Sequence, residues 1–238
     1  MNFYAITGTS RGIGKAIALV ALADSNNQVL GISRTCTIAN EGYTHQSLDL
    51  NDTSKVLEFK FPDHKRIEKA ILINNSGELG DVKPFAEIEA AALARTITIN
   101  TIAPAILSNL FIKSYAHSAK EVVIINISSG AGRHPIKSWS SYCASKAGVD
   151  MLSLVISEEE KTNPQSNIRI HSIAPGIVDT AMQESIRSVQ PNHFPDKQRF
   201  VEYKEKGSLS DPHDVAIKIM SVINNPTITD TLLDVRKF

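Results

Sequence analysis

The alternation of apolar runs along the chain predicts an α/β fold: one doubly wound parallel sheet of the Rossmann type, with helices on both faces. Three observations lead there. Short, nearly continuous apolar runs at residues 3–7, 28–33, 70–74, 122–127 and 168–173 have the length and β-branched content of strands covered on both sides. Longer helical stretches at 13–23, 87–115 and 142–159 lie between them, and repeated strand–helix–strand units give parallel strands joined by right-handed crossovers. Glycines 8, 12 and 14 stand where the first strand turns into the first helix.

The bulk properties narrow the function classes. With 238 residues and no linker, repeat or low-complexity tract, the chain reads as one domain over 1–238. Lys plus Arg equals 25 and Asp plus Glu equals 25, with no basic cluster, which argues against a nucleic-acid or anionic-membrane partner. The start, Met1 to Gly8, lacks the basic and long apolar segments of a secretory leader, and no apolar run approaches the roughly 18 residues of a membrane span. Cys36 and Cys143 form no disulfide framework and pair with no histidine at metal-ligand spacing. A cytoplasmic protein without a metal is expected.

After the first strand comes Thr7-Gly8-Thr9-Ser10-Arg11-Gly12-Ile13-Gly14. A turn this rich in glycine lets the backbone approach a pyrophosphate, and the N–H groups of the helix that follows face the phosphate oxygens. A dinucleotide site at Gly8, Ser10, Arg11, Gly12, Ile13 and Gly14 is the expectation. The second strand ends in Leu30-Gly31-Ile32-Ser33-Arg34-Thr35, where an NAD site would carry an acid for the ribose hydroxyls. Arg34 there, with Arg11 in the turn, suits a 2′-phosphate instead, so NADP(H) is the expected cofactor.

On the helical stretch 142–159, Tyr142 and Lys146 lie four residues apart and share a face. A fixed ammonium beside a phenol, whose ordinary pKa is about 10, favours the ionised form and eases proton exchange near neutrality. Residues 182–210, with Pro191 and Pro195 and little periodicity, follow the strand at 168–173 and read as a substrate lid. Asp211 caps a last helix with Pro212 inside its first turn, and residues 231–235 form a last strand.

Joined in order, the glycine turn, Asn74-Asn75-Ser76-Gly77, Ser129, Tyr142 with Lys146, and Pro175-Gly176 resemble the short-chain dehydrogenase/reductase family over essentially the whole chain. Several stretches are most similar to its benzil reductase and sepiapterin reductase branch: residues 74–82, Trp139 to Cys143, Asp179 to Gln183, Lys206 to Leu209, and Leu233 to Val235. One departure is Ser76, where the family has alanine.

The resemblance implies a division of roles. Tyr142 would be the general acid for carbonyl reduction, and Lys146 would bind the nicotinamide ribose and lower the phenol's pKa. Ser129, thirteen residues before Tyr142, would hold the substrate oxygen, and Asn100 would serve a proton relay. Asp49 and Leu50 would touch adenine, Asn75 and Gly77 the adenosine ribose, and Pro175, Gly176, Ile177 and Thr180 the nicotinamide. Trp139, Met182 and Asp234 are candidate substrate contacts. The implied activity is reduction of a ketone or diketone, with a pterin side-chain carbonyl as the alternative substrate and a non-catalytic NADP-sensing module as the competing class. Pairing through helices 87–115 and 142–159 into a homodimer or homotetramer is also implied.

Overall fold

The computed structural model describes residues 1–64 and 66–237. Seven parallel strands form one sheet: β1 (Asn2–Thr7), β2 (Asn27–Ser33), β3 (Tyr43–Ser47), β4 (Ile67–Asn74), β5 (Ala119–Ile127), β6 (Ile168–Ala174) and β7 (Leu232–Asp234). Their order across the sheet is β3-β2-β1-β4-β5-β6-β7. The chain runs outward from β1 to β3, then returns past β1 to β4 and runs outward the other way. That reversal puts a crevice at the carboxyl ends of β1 and β4, where α/β proteins bind their ligands.

Alternate residues of each central strand feed opposite faces of the sheet. Tyr4, Ile6, Ile71, Ile73, Val123 and Ile125 enter one buried cluster, covered by helices α1 (Gly12–Leu22) and α8 (Pro212–Asn224). Phe3, Ala5, Ala70, Leu72, Val122 and Ile124 enter the other, covered by α2 (Thr53–Leu57) and α4 (Ala103–Tyr115). Asp211 caps α8 as expected, its side chain accepting the His213 N–H at 2.7 Å.

Two parts differ from the sequence reading. Strand β3 was not expected, because Tyr-Thr-His-Gln-Ser is polar and lies at the exposed sheet edge, where no apolar pattern is needed. The expected helix 87–115 is broken into a 3₁₀ turn (Phe85–Glu87), α3 (Ala90–Ile97), a π turn (Thr98–Ile102) and α4. The continuous helical part, Ala90–Tyr115, is long and apolar enough by length and composition to cross a membrane, unlike any run expected from the sequence. Here it is the crossover between β4 and β5, and its Leu107, Phe111 and Tyr115 are packed onto the sheet.

Candidate active site

At the crevice, the glycine turn is fastened to the end of β4. Thr7 Oγ1 accepts the Asn75 and Ser76 backbone N–H groups, both at 2.9 Å, and Asn75 Nδ2 donates back to the Thr7 carbonyl at 2.9 Å. A Cβ on Gly14 would stand 2.3 Å from Asn75 Nδ2 and 2.4 Å from the Gly8 carbonyl oxygen, so only glycine allows α1 to start this close to β4. Gly8 and Gly12 have φ of +76° and +59°, where side-chain-bearing residues are strained. The N-terminus of α1 has no side-chain cap at Arg11 and no acid in its first turn. Its N–H groups and the positive end of its dipole suit the pyrophosphate of a dinucleotide. Across the crevice, Thr180 faces this turn, its Cγ2 lying 3.4 Å from where a Gly12 Cβ would be.

The β2–β3 edge bears on cofactor choice. Ser33 ends β2 and Arg34 follows it, exposed. Thr37 Oγ1 donates to the Ser10 carbonyl at 2.9 Å and ties this loop to the glycine turn beside Arg11. Arg11 and Arg34 therefore belong to adjoining loops, and both are exposed. Tyr43 Oη, from the unexpected β3, bonds Thr9 Oγ1 at 2.8 Å, and Gly31 leaves it room, since a Cβ there would lie 1.9 Å from that oxygen. Asp49 is exposed just beyond β3 and accepts the Asn51 N–H, while Leu50 is buried.

Ser129, Tyr142, Lys146 and Asn100 come together where β5 ends and α5 (Ser140–Lys161) begins. Tyr142 is buried, and Ser129, whose Oγ accepts the Ala131 N–H at 3.2 Å, acts to favour the ionised phenol. Lys146 Nζ lies 5.8 Å from the centre of the Tyr142 ring and donates to the Ile127 carbonyl at 2.7 Å. Gly77 is beside both Lys146 and Asn100: a Cβ there would be 3.5 Å from Nζ and 3.3 Å from Asn100 Oδ1. Asn100 sits in the π turn with its side chain fully engaged. Its Oδ1 accepts the Glu78 N–H at 2.9 Å, and its Nδ2 donates to the Glu78 carbonyl at 2.8 Å and to Ser145 Oγ at 3.0 Å. Its backbone carbonyl lacks an α-helical donor. Pro104, four residues on, has no N–H to occupy that carbonyl in an α-helical bond.

Burial, rather than the charge of Lys146, dominates the phenol in this arrangement. Burial pushes Tyr142 up to about 12 against the opposing Ser129 hydrogen bond, and Lys146 is drawn down to about 8 by burial, with Asp150 opposing. The ammonium points at a carbonyl, and the desolvation of two buried groups outweighs their attraction.

Pro175, Gly176 and Ile177 follow β6, with Gly176 at φ +78°. Residues 182–210 hold all but the first residue of α6 (Ala181–Ser188) and all of α7 (Lys197–Glu205). Phe194 and Phe200 close over Trp139, with ring centres 5.5 Å away in each case, and Trp139 meets the Tyr142 ring edge-on at 5.6 Å. Met182 and Ile186 join this apolar cluster. Trp139 is 5% exposed and its indole N–H has no partner, nor has the buried Gln183 Oε1. Asp234 is differently placed: Arg236 Nε donates to both its carboxylate oxygens, at 2.9 and 3.2 Å, holding its pKa down at about 2.

The sequence reading gave no role to Thr7, which joins the turn to β4, or to the half-buried Arg133 paired with buried Asp150. Thr7 heads the glycine-turn motif, and Asp150 continues the four-residue spacing of Tyr142 and Lys146.

Comparison with known proteins agrees with this geometry. Residues 2–191 match the model of the short chain dehydrogenase family. Over all of both chains, the protein is 35% identical to benzil reductase ((S)-benzoin forming) of Bacillus subtilis strain 168. It is 30% identical to sepiapterin reductase of Rattus norvegicus, over 93% of this chain and 91% of that one. The solved structure of the KRED1-Pglu enzyme superposes with a TM-score of 0.83 at 25% identity, covering 98% of this chain and all of that one. On these matches the chain belongs to the short-chain dehydrogenase/reductase family of nicotinamide-dependent oxidoreductases.

Proposed function

We propose that the protein is an NADP(H)-dependent carbonyl reductase acting on a ketone or an aromatic 1,2-diketone. The observation that carries this reading is the convergence of Ser129, Tyr142 and Lys146 at the crevice beside the glycine turn.

Gly8, Ser10, Gly12, Ile13 and Gly14 would hold the pyrophosphate, and Asp49, Leu50, Asn75 and Gly77 the adenosine end. Arg11 and Arg34 would take the 2′-phosphate, and Pro175, Gly176, Ile177 and Thr180 the nicotinamide. When bound, the reduced cofactor supplies the hydride for the carbonyl carbon. Tyr142, kept protonated by burial, delivers its proton to the substrate oxygen as negative charge develops there. The Ser129 hydroxyl donates to the same oxygen and stabilises that charge. Lys146 provides positive charge behind the phenol, and the Asn100 backbone carbonyl would hold a water through which protons pass onward.

The apolar, aromatic cluster beneath residues 182–210 supports an aromatic substrate, and α6 with α7 would act as a lid that parts to admit it. The Bacillus relative supports a diketone. A pterin carbonyl is the second reading, favoured by the sepiapterin reductase relative, but Asp234 would have to leave Arg236 to anchor a pterin. Turnover of benzil and sepiapterin with NADPH and with NADH separates these. Benzil with NADPH is expected to be the best pair, and turnover of neither compound removes both readings.

A homodimer or homotetramer is also proposed. Met151 and Val155 on α5 and Ile102 in the π turn are 60%, 47% and 40% exposed, an apolar surface on the helices expected to pair. Both cysteines are free thiols, which suits a reducing cytoplasm.

A further inference from the structure

Beneath the catalytic helix lies an ion pair that the proposed reaction does not use. Asp150 follows Lys146 by four residues, as Lys146 follows Tyr142, so all three share one face of α5. Its side chain is 7% exposed, and its two oxygens accept from Arg133 Nε at 3.0 Å and Ser172 Oγ at 2.6 Å. Arg133 also donates to the carbonyls of Leu233, at 3.2 Å, and Ser172, at 3.3 Å. The pair thus binds four parts of the crevice: the turn after Ser129, the catalytic helix, the end of β6 and the last strand. Gly132 makes this possible, because a Cβ there would stand 2.8 Å from the Lys146 backbone carbon.

We propose that Asp150 is a positioning residue for Lys146, supplying the counter-charge one turn below the ammonium, and that Arg133 limits that charge while fixing the Ser129 turn. The inference rests on Lys146 having the role given above. Among the described residues, Asp150 is the charge that acts on Lys146. Tyr142 is neutral, Glu78 is engaged by Arg95 at 3.0 Å, Asp234 is held by Arg236, and the contacts from β5 and the π turn are the Ile127 carbonyl and uncharged Asn100. Burial draws Lys146 toward its neutral form, and Asp150 is the group that opposes this. A neighbouring charge in a buried site shifts a pKa by about one unit or more.

The test is the titration midpoint of Lys146 in the cofactor-free protein, followed by NMR of its 13Cε. Asp150→Asn removes the carboxylate that opposes the effect of burial, so the midpoint is expected to fall by about one unit. Arg133→Gln leaves the carboxylate unshared, so the midpoint is expected to rise. A structural role alone would lower the melting temperature of both variants and leave both midpoints in place, and that result, or shifts of the same sign, would overturn the proposal. Should Asp150→Asn fail to fold, the rise in Arg133→Gln carries the test. Because no turnover is measured, the outcome is separate from whether the enzyme reduces carbonyls.

Discussion

The two ends of the crevice are built on different principles. At the glycine turn, Thr7 and the Asn75–Ser76 segment are joined by three hydrogen bonds of 2.9 Å, and an added methyl at Gly14 would meet two atoms within 2.4 Å. Under residues 182–210, Trp139, Phe194 and Phe200 are held by ring contacts at 5.5 Å, and Trp139 Nε1, Gln183 Oε1 and Arg187 Nη1 are buried without partners. Directed hydrogen bonds over-determine the first region, whereas apolar packing leaves the second free to rearrange. In the proposed function the former suits a fixed nucleotide and the latter a carbonyl substrate.

The largest contrast should come from Gly14→Ala. Its Cβ must displace Asn75 or Gly8, and overpacking of this kind costs about 1–3 kcal/mol. NADPH affinity, measured by fluorescence titration, is expected to fall at least tenfold, and an unchanged affinity would show that the turn is not rigid. Arg34→Ala comes next. Losing a charged hydrogen bond of about 1.5–3 kcal/mol should weaken NADPH roughly 10- to 100-fold and leave NADH nearly unaffected. Equal weakening would remove the 2′-phosphate assignment. At the adaptable end, Trp139→Phe keeps a ring in the stack and removes only the indole N–H. It should change KM for a diketone by a few-fold, with cofactor affinity untouched. A loss as large as that of Gly14→Ala would mean the two ends are equally constrained.

Lys146 gives a smaller effect that is specific in sign. Its folded pKa of about 8 is below its ordinary 10.5, so between those values the unfolded chain binds more protons. That contribution to stability rises with pH from about 8 to 10.5. Thermal melts over this window should show Lys146→Met lacking the rise that the parent protein has, and parallel curves would contradict the buried, desolvated ammonium.

The same contrast explains what could be read from the sequence. Glycines 8, 12 and 14, Asn75, and the Tyr142–Lys146 spacing are legible because close backbone approach and a shared helix face permit few residue types. The sheet was legible because central strands must be apolar on both faces. Strand β3 was not, since an edge strand needs no such pattern, although Gly31 marks the place where Tyr43 crosses. Helix α7 was hidden because its Lys-Gln-Arg-Phe-Val-Glu-Tyr-Lys-Glu run is mostly polar and buries no residue fully. The expected lowering of the Tyr142 pKa failed because spacing along a helix does not reveal desolvation.

The central claim is that Tyr142 delivers the proton to a substrate carbonyl. The most direct measurement pairs NADPH binding with benzil turnover in Tyr142→Phe, which removes the hydroxyl and keeps the ring that packs against Trp139. The expected result is near-parental NADPH affinity with kcat reduced by about 10²- to 10⁴-fold, the usual contribution of a positioned general acid. Turnover at the parental rate with the hydroxyl gone would contradict it.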